Sequence, residues 1–248
     1  MSSYIDNKNH SLCVNLYLSL KIFIRVCMSL KKNPVLLFLL VIFIGTSSFC
    51  TINDDWQLKK VDQGISVYTR NPENSAFKEL KAVAYIKTSI SSIVALLYDF
   101  DDYPEWVYKC GKSSTLKIIN ENEFIHYQTV LAPWPVDNRD FVIHIKREQN
   151  KITKVVTIRS YAIGNYIPAF PGYVRIMNFN ASWVITPQKD GTVEIVYQLL
   201  VDPAGYVPAW IVNMVILDGP FDTMNNLKDW VFKEKYQKEK IPSIEEPD

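Results

Sequence analysis

The sequence has 248 residues, 48% of them hydrophobic, and a formal net charge of +1. The charge is unevenly distributed: residues 1–50 hold five of the 27 Lys and Arg and one of the 26 Asp and Glu, which leaves 22 basic and 25 acidic residues from Thr51 onward. A mildly acidic body lacks the basic surface that nucleic-acid binding requires, so we expect no nucleic-acid partner. The four cysteines form neither a disulfide framework nor a zinc-ligand spacing.

A hydrophobic run near the N-terminus is typical of a secretory signal. Residues 34–45, PVLLFLLVIFIG, follow the basic pair Lys31 and Lys32 and precede the small residues 46–48, which is the three-part layout of such a signal. The run is shorter than a comfortable membrane span. We therefore predict that residues 1–50 are an upstream segment plus a signal peptide or hydrophobic anchor, outside the folded domain.

Two details of this segment leave its processing open. Met28 lies just before the basic pair and is an alternative start of the chain. Cys50 is a candidate lipidation site, but a lipoprotein signal has a small residue immediately before the cysteine, and Phe49 stands there. We expect an exported protein, periplasmic or membrane-associated through an uncleaved signal, and a lipoprotein is the weaker alternative.

The first part of the domain predicts three strands followed by two helices. The strands lie at residues 56–61, 65–70 and 76–87, with a glycine turn between the first two. Ser89 is a candidate N-cap for a helix over residues 90–99. Pro104 suits the first turn of a short second helix.

The rest of the domain is predicted to be mostly strand. Three pairs of alternating segments are joined by polar turns: 115–119 with 124–131, 141–147 with 155–161, and 173–186 with 193–201. Polar links of this length join antiparallel neighbours. The sequence therefore predicts a large antiparallel sheet.

A long amphipathic segment follows the last strand. Asp202 and Pro203 stop that strand, Gly205 permits a turn, and Pro208 suits the first turn of a helix. Apolar residues then recur at spacings of three and four: Trp210, Met214, Leu217, Phe221, Met224, Leu227 and Val231. We predict a terminal helix that packs on the sheet and is kinked or split at Gly219-Pro220.

The order of elements indicates one α+β domain, a curved antiparallel sheet wrapped around the long C-terminal helix. Alternating apolar residues on its last strands would share the inner face: Met177, Phe179, Trp183, Val193, Ile195, Tyr197, Leu199 and Val201. Such a face lines either a filled core or an apolar pocket, and periodicity does not distinguish the two.

Three segments resemble the START (StAR-related lipid-transfer) domain family. Residues 133–142, PWPVDNRDFV, are similar to the family's P-x-P…x-R-D-F-V loop and strand. Residues 202–213, DPAGYVPAWIVN, are similar to its D-P-G-G-x-x-P-x-W-x-x-N junction, and Val174-Arg175 with residues 183–187 supplies the third segment. Together, and in this order, they are specific to the family.

The resemblance covers about residues 54–236 and implies a helix-grip fold for residues 51–240, followed by a polar tail at 241–248. Ala204 departs from the family, where a second glycine is common. The resemblance also implies a bacterial-type exported member, a monomer without a cofactor, with a hydrophobic cavity closed by the C-terminal helix and the loop 132–138.

A lipid or sterol-like ligand in that cavity, with transient contact to a membrane surface, is the function that the resemblance implies. Transfer, storage and sensing all require the same pocket and stay open. Two alternatives remain: a helix-grip enzyme of the cyclase or hydrolase type acting on an apolar substrate, and an interaction module whose cavity is filled by its own side chains.

Candidate site residues follow from the inner face, the terminal helix and the resemblance. Expected to contact the ligand are Arg175, Met177, Phe179, Trp183, Tyr197, Leu199, Trp210, Met214, Leu217 and Phe221. Expected at the lid or the membrane are Trp134, Pro135, Trp210 and Ile211. Expected to hold the structural motifs are Arg139, Asp140, Asp202, Pro203, Gly205 and Pro208.

The arginines of these motifs have two interpretations each. Arg139 and Asp140 are adjacent in a strand and point to opposite faces, so they do not form one pocket site; Arg139 either ties down its loop or contacts ligand. Arg175 shares the predicted face of Met177 and Phe179. If that face is inward, Arg175 needs a carboxylate or a polar lipid group, because an unpaired buried charge is costly.

The remaining candidates also have structural alternatives. Trp134 either anchors at a membrane interface or packs against the terminal helix. Tyr197 and Glu79 are candidate polar groups of the pocket, although ordinary core packing or surface exposure is the favoured interpretation of each.

No metal or nucleophile motif is recognisable. His126 and His144 lie on predicted strands and are read as structural, because no metal-ligand spacing surrounds them and no nucleophile elbow is present. The cluster Asp99, Asp101 and Asp102 fits no calcium loop and is read as helix capping.

Overall fold

In the computed structural model, the described residues are 55–72, 75–207 and 209–247, and the side chains of residues 209–216 are not described. The predicted signal segment and Pro208 therefore lie outside the described residues. Ten strands form one sheet: β1 Gln57–Asp62, β2 Ile65–Arg70, β3 Glu79–Ile86, β4 Cys110–Asn120, β5 Glu123–Val130, β6 Asn138–Gln149, β7 Val156–Ala162, β8 Tyr173–Arg175, β9 Phe179–Pro187 and β10 Val193–Val201. The helices are α1 Ile90–Tyr98, α2 Tyr103–Trp106, α3 Ala209–Trp230 and α4 Glu234–Gln237.

The sheet is antiparallel and its strand order is β1-β2-β3-β10-β9-β7-β6-β5-β4. β8 lies off this path and pairs in parallel with the start of β6. The long helix α3 packs on β2 and β3, where Ile65, Val67, Ala82 and Ala84 are fully buried. The three N-terminal strands join the rest of the sheet through β3 and β10 alone, so the pairing of β3 with β10 completes the architecture.

The first hairpin forms as the glycine signal predicts. Gln63 and Gly64 connect β1 to β2 with φ of 49° and 73°. Two successive residues with positive φ give a turn whose twist matches that of the flanking strands. Gly64 adopts this conformation without steric cost.

The segment 173–186, predicted as one strand, is two strands with a break at residues 176–178. Ile176 is buried on the inner side, Met177 is 48% exposed on the outer side and Phe179 faces inward again. The strict alternation expected of a continuous strand therefore fails here. This break reverses the faces that the sequence predicted for Arg175 and Met177.

The helix α3 runs through Pro220 as one assigned helix, so the predicted split does not occur. Gly219 and Pro220 face the interior of the domain. The helix therefore continues through a residue that has no backbone N–H to donate.

One end of the inner face is filled by aromatic side chains. Phe100 lies over His126 with ring centroids 4.5 Å apart, and Tyr103 packs edge-on against both Phe100 and Trp106. The Nε2 of His126 lies 3.1 Å from Ser113 Oγ, and that hydroxyl donates to the carbonyl of Phe100. The end of the sheet near β4 and α1 is therefore a packed core.

Residues 241–247, predicted as a polar tail outside the domain, pack against this filled end. Ile244 is 8% exposed within the main core. The Glu246 carboxylate accepts the backbone N–H groups of Ile90 and Ser91 at 3.0 and 2.7 Å. A carboxylate here satisfies free donors at the start of α1 and complements the helix dipole.

Candidate functional site

An internal cavity of about 380 Å³ lies at the other end of the inner face. This volume falls in the lower part of the range typical of small-molecule sites. Its lining residues come from the sheet, from two loops and from α3: Ala76, Phe77, Lys78, Leu80, Val107, Tyr108, Lys109, Gln128, Val130, Leu131, Ala132, Pro133, Val136, Arg139, Phe141, Ile176, Phe179, Tyr197, Leu199, Val201, Pro203, Val207, Gly219, Pro220 and Thr223. Most of these side chains are apolar, so the cavity suits an apolar molecule.

Three residues predicted to contact a ligand do line the cavity: Phe179, Tyr197 and Leu199. Trp183 lies behind Tyr197, stacked on its ring with centroids 4.1 Å apart, and does not line the space itself. Burial raises the pKa of Tyr197, so its hydroxyl is neutral and is a hydrogen-bond donor or acceptor beside the cavity.

Five other predicted ligand contacts, and the predicted lid residue Ile211, lie elsewhere or outside the described residues. Leu217 and Phe221 pack into the core rather than the cavity. Met177 lies on the outer side, where a Cβ added to Gly164 would come within 2.1 Å of its methyl carbon. The side chains of Trp210, Ile211 and Met214 are among those that the structure does not describe.

Arg175 lies outside the cavity, contrary to its predicted inward face. Its Nε and Nη2 donate to the two carboxylate oxygens of Asp140 at 2.8 and 2.9 Å, and Asp140 is fully buried. Arg175 also donates to the carbonyls of Gly164, Ile167 and Pro168, which holds that loop against the outer face of β6. The hydrogen bonds to Asp140 raise the pKa of Arg175, so its guanidinium stays charged.

Arg139 points the opposite way, into the cavity wall, because it is adjacent to Asp140 on β6. It is 6% exposed, and its guanidinium donates to the carbonyls of Asp137, Pro203 and Ala204. Burial lowers the pKa of Arg139, although it stays far above neutral pH. Arg139 thus joins the loop before β6 to the turn before α3 and also borders the cavity.

The turn before α3 is built by its own polar groups. Asp202 Oδ1 accepts the N–H of Ala204 at 2.9 Å, which is the Asx-type contact favoured in turns. Ala204 and Gly205 both have positive φ, 54° and 61°. The alanine therefore occupies a left-handed conformation that a glycine adopts more readily.

Two segments at the cavity mouth, the loop before β6 and the turn before α3, each expose a large aromatic side chain. Trp134 is 90% exposed and Tyr206 is 88% exposed. Pro133 and Val136, on either side of Trp134, line the cavity, as does Val207 beside Tyr206. Pro135 is exposed and follows Trp134 through a cis peptide bond. An apolar entrance with outward-facing indole and phenol rings is typical of surfaces that touch a membrane interface.

The polar residues that the sequence suggested elsewhere do not converge on a reaction centre. Glu79 pairs with Arg70 at 2.6 Å, and His144 contacts Glu123 at 2.7 Å. Among the described residues, no group of three or more His, Cys, Asp or Glu is placed to hold a metal ion. None of the described helices is both long and apolar enough to cross a bilayer.

The carboxylates near α2 do not cap helices, which corrects the prediction for that cluster. Asp99 and Asp102 both accept from Lys235 Nζ, at 2.7 and 2.6 Å, and from the Tyr236 hydroxyl. Neither makes a side-chain capping bond. They tie α4 to the segment after α1 instead.

Sequence reasoning missed much of the cavity wall. Gln128 and Val130 line it from β5, and Lys109 lines it from the loop after α2, where φ is 52°. The alternation of β5 could have indicated Gln128 and Val130, since both share the inward face with His126. No comparable sequence signal marks Lys109, because its position depends on a loop conformation.

Comparisons with known proteins agree with this architecture. Residues 50–240 match the family model of the START domain. The crystal structure of a STAR-related lipid transfer protein fragment from Xanthomonas axonopodis superposes with a TM-score of 0.67 at 33% identity, covering 73% of this chain and all of that one. The predicted helix-grip fold is thereby confirmed.

Two curated sequences are also similar. An uncharacterized protein of Pseudomonas aeruginosa is 30% identical over 175 residues, which cover 71% of this chain and 86% of the relative. The phosphatidylcholine transfer protein of Rattus norvegicus is 25% identical over 175 residues, which cover 66% of this chain and 78% of that protein.

Proposed function

The chain belongs to the START domain family, and we propose that it binds a lipid in the cavity bordered by Tyr197, Phe179 and Leu199 and transfers it between membranes. The observation that carries the proposal is the apolar cavity of about 380 Å³ between the sheet and α3. Burying apolar ligand surface contributes about 25 cal/mol per Å², so such a site binds a lipid without covalent chemistry. The rat relative is itself a phosphatidylcholine transfer protein, which supports transfer as the activity.

The proposal assigns the opening and closing of the cavity to two segments. The loop 132–138 and the turn before α3 lie at the mouth, and Arg139 links them through the carbonyls of Asp137, Pro203 and Ala204. Exposed Trp134 and Tyr206 would enter the headgroup region of a membrane while the mouth opens. An exported chain, periplasmic or anchored by its signal segment, would have bilayers within reach.

An enzymatic function has less support from the cavity. Its described lining has no histidine, aspartate or glutamate, and the polar groups present are amide, hydroxyl and cationic side chains. General acid–base catalysis needs a group that changes protonation near the working pH. A binding function requires no such group.

The direct test is to purify the protein without detergent, extract it and identify bound lipid by mass spectrometry, then measure transfer of a fluorescent lipid between vesicles. Val201→Trp would fill cavity space and is expected to abolish both bound lipid and transfer, whereas Val201→Ile should retain them. Thermal unfolding of both variants controls for folding. A wild-type protein that carries no lipid and transfers none would contradict the proposal.

The membrane contact has a separate test. Trp134→Ala and Tyr206→Ala should slow transfer from vesicles several-fold while stability changes by less than about 0.5 kcal/mol, because both side chains are surface-exposed. Ile152→Ala is the matched control, since Ile152 is 92% exposed in the turn after β6, away from the mouth. Equal transfer rates for all three variants would contradict a membrane role of the aromatic pair.

A further inference from the structure

The charged side chains that line the cavity are all cations. They are Lys78, Lys109 and Arg139, and no carboxylate lines the described part of the wall. The first turns of α3, whose side chains are not described, read AWIVNMVI at residues 209–216 and add no acid. The cavity therefore has positive charge and no negative charge of its own facing the space.

Arg139 is the deepest of these cations. It is 6% exposed, and within the described part of the chain it forms no salt bridge, since its partners are three backbone carbonyls. Carbonyl dipoles satisfy N–H donors but do not neutralise the charge. A buried cation without a carboxylate partner is costly unless an anion reaches it.

Three acids next to these cations lie outside the cavity. Asp137 lies on the exposed side of the loop and favours the charged form of Arg139 from there. Asp222 of α3 interacts with Lys109 and offsets part of that charge. Asp140, which follows Arg139 directly, is committed to Arg175 on the opposite face of β6. None of the three lines the space that a ligand would occupy.

We infer that the ligand is an anionic amphiphile, with a carboxylate or phosphate held beside Arg139 and Lys78 and an acyl chain against Phe179, Leu199 and Tyr197. The inference rests on the proposed lipid-binding function and specifies its ligand class. The low local dielectric strengthens the attraction between a buried anion and a buried guanidinium. A neutral alcohol of the same chain length fills the same apolar surface but leaves the cation uncompensated.

Two ligand pairs that differ only in the anionic group test this inference on the wild-type protein. The first is palmitate against hexadecanol, and the second is dioleoyl phosphatidic acid against dioleoylglycerol in phosphatidylcholine vesicles. We expect the anion of at least one pair to bind about tenfold more tightly, equivalent to about 1.4 kcal/mol. The first pair identifies a free fatty acid as the source of the anion, and the second identifies a phospholipid headgroup.

The outcomes separate the inference from the function on which it rests. Equal or tighter binding of the neutral member in both pairs, or a preference for phosphatidylcholine over both anions, would overturn the inference and leave lipid binding intact. Failure of every probe to bind would overturn both.

Variants then locate the anion. Arg139→Gln should lower palmitate affinity about tenfold and leave hexadecanol affinity unchanged, with a folding check by circular dichroism. Because Arg139 also tethers two loops, the Lys78→Gln/Lys109→Gln double variant provides a second test at exposed positions and should lower palmitate affinity about threefold. Lys117→Gln, an exposed lysine on β4 away from the cavity, is the control. Unchanged palmitate affinity in both cavity variants would contradict the assignment.

Discussion

Arg139 and Arg147 lie on the same face of the same strand, eight residues apart, and have opposite surroundings. Both are buried, at 6% and 4% exposure, and burial lowers the pKa of both. Arg139 borders the open cavity and donates to three carbonyls. Arg147 is enclosed: it donates to Asn122 and, at 2.6 Å, to Ser243 Oγ, and lies 5.2 Å from the centre of the Tyr98 ring.

The difference shows how one inner face serves two purposes. At the filled end, neutral side chains and an aromatic ring stabilise the cation of Arg147, and the C-terminal residues cover it. At the open end, the backbone holds the guanidinium of Arg139 in place while unfilled volume remains beside it. A charge next to empty space can accept a ligand group, whereas an enclosed charge can only be structural.

Deleting residues 241–248 should remove packing and hydrogen bonds at the filled end. We expect this variant to lose more stability than any other proposed here. The deletion removes the buried side chain of Ile244, the Ser243 bond to Arg147 and the Glu246 contacts to α1. Together these should lower the free energy of unfolding by about 4 kcal/mol. Urea denaturation would measure it, with deletion of residues 247–248 as the control. A loss below about 1 kcal/mol would mean that this tail does not close the domain.

Acid should also act on the filled end, through His126. Burial lowers the pKa of His126 to about 4 from its usual 6.5, so the folded state favours the neutral ring. Its contribution to stability is full above about pH 6.5 and is lost as the pH falls toward 4, a change of about 3 kcal/mol. The difference in unfolding free energy between about pH 7 and pH 4 should therefore shrink in His126→Gln.

His144→Gln is the comparison variant for this experiment, because His144 lies beside Glu123 on the other face of the sheet, outside the aromatic core around His126. The loss of stability at acid pH should persist in this variant, because the substitution leaves His126 in place. An unchanged pH profile in His126→Gln would contradict the assignment of this acid sensitivity to the buried ring.

Replacing each arginine with methionine compares the two sites directly. Arg139→Met removes bonds that join two loops and should lower the unfolding free energy by about 2 kcal/mol. Arg147 is a buried cation with no carboxylate partner, and its Nη1 forms no hydrogen bond in the native structure. Arg147→Met removes these unfavourable features along with the bonds to Asn122 and Ser243, so the unfolding free energy should change by no more than about 1 kcal/mol. Chemical denaturation of both variants under identical conditions measures the contrast. A larger loss in Arg147→Met than in Arg139→Met would reverse our comparison.

The smallest predicted effect concerns the turn that supplies a carbonyl to Arg139. Ala204 has a φ of 54°, a conformation that costs a residue with a Cβ about 1 kcal/mol relative to glycine. Ala204→Gly should therefore raise the unfolding free energy by up to about 1 kcal/mol. Ala95→Gly, within α1, should lower it by about the same amount. A destabilised Ala204→Gly variant would show that flexibility in this turn outweighs the relief of strain.

Most of the fold could be predicted from the sequence, because it depends on local patterns. The strand Val193–Val201 alternates strictly and forms with those bounds, and Gly64 lies in the hairpin turn that its position predicts. The family resemblance added the helix-grip fold, in which a curved antiparallel sheet wraps around the C-terminal helix. These patterns depend only on residues that are close together in the sequence, so the local structure that they predict is also found in the folded domain.

The site was less predictable, because its geometry depends on irregular backbone. The prediction for Arg175 assumed a continuous strand, and the break at residues 176–178 turned that side chain to the outer face, where Asp140 pairs with it. Tyr197 and Leu199 belong to a strand without such a break, and their inward direction was predicted correctly. Loop residues such as Lys109 reach the cavity through contacts that no periodicity encodes.

The pairing of β3 with β10 has a kinetic consequence. Val193 pairs with Ile86, and Leu199 with Leu80, so the two strands are roughly 110 residues apart in sequence. Contacts this distant form slowly, because a long loop must close before they stabilise anything. Leu80 and Leu199 both line the cavity, so its wall is incomplete until β3 and β10 have paired. A ligand of this cavity therefore depends on contacts between two segments that lie far apart in sequence.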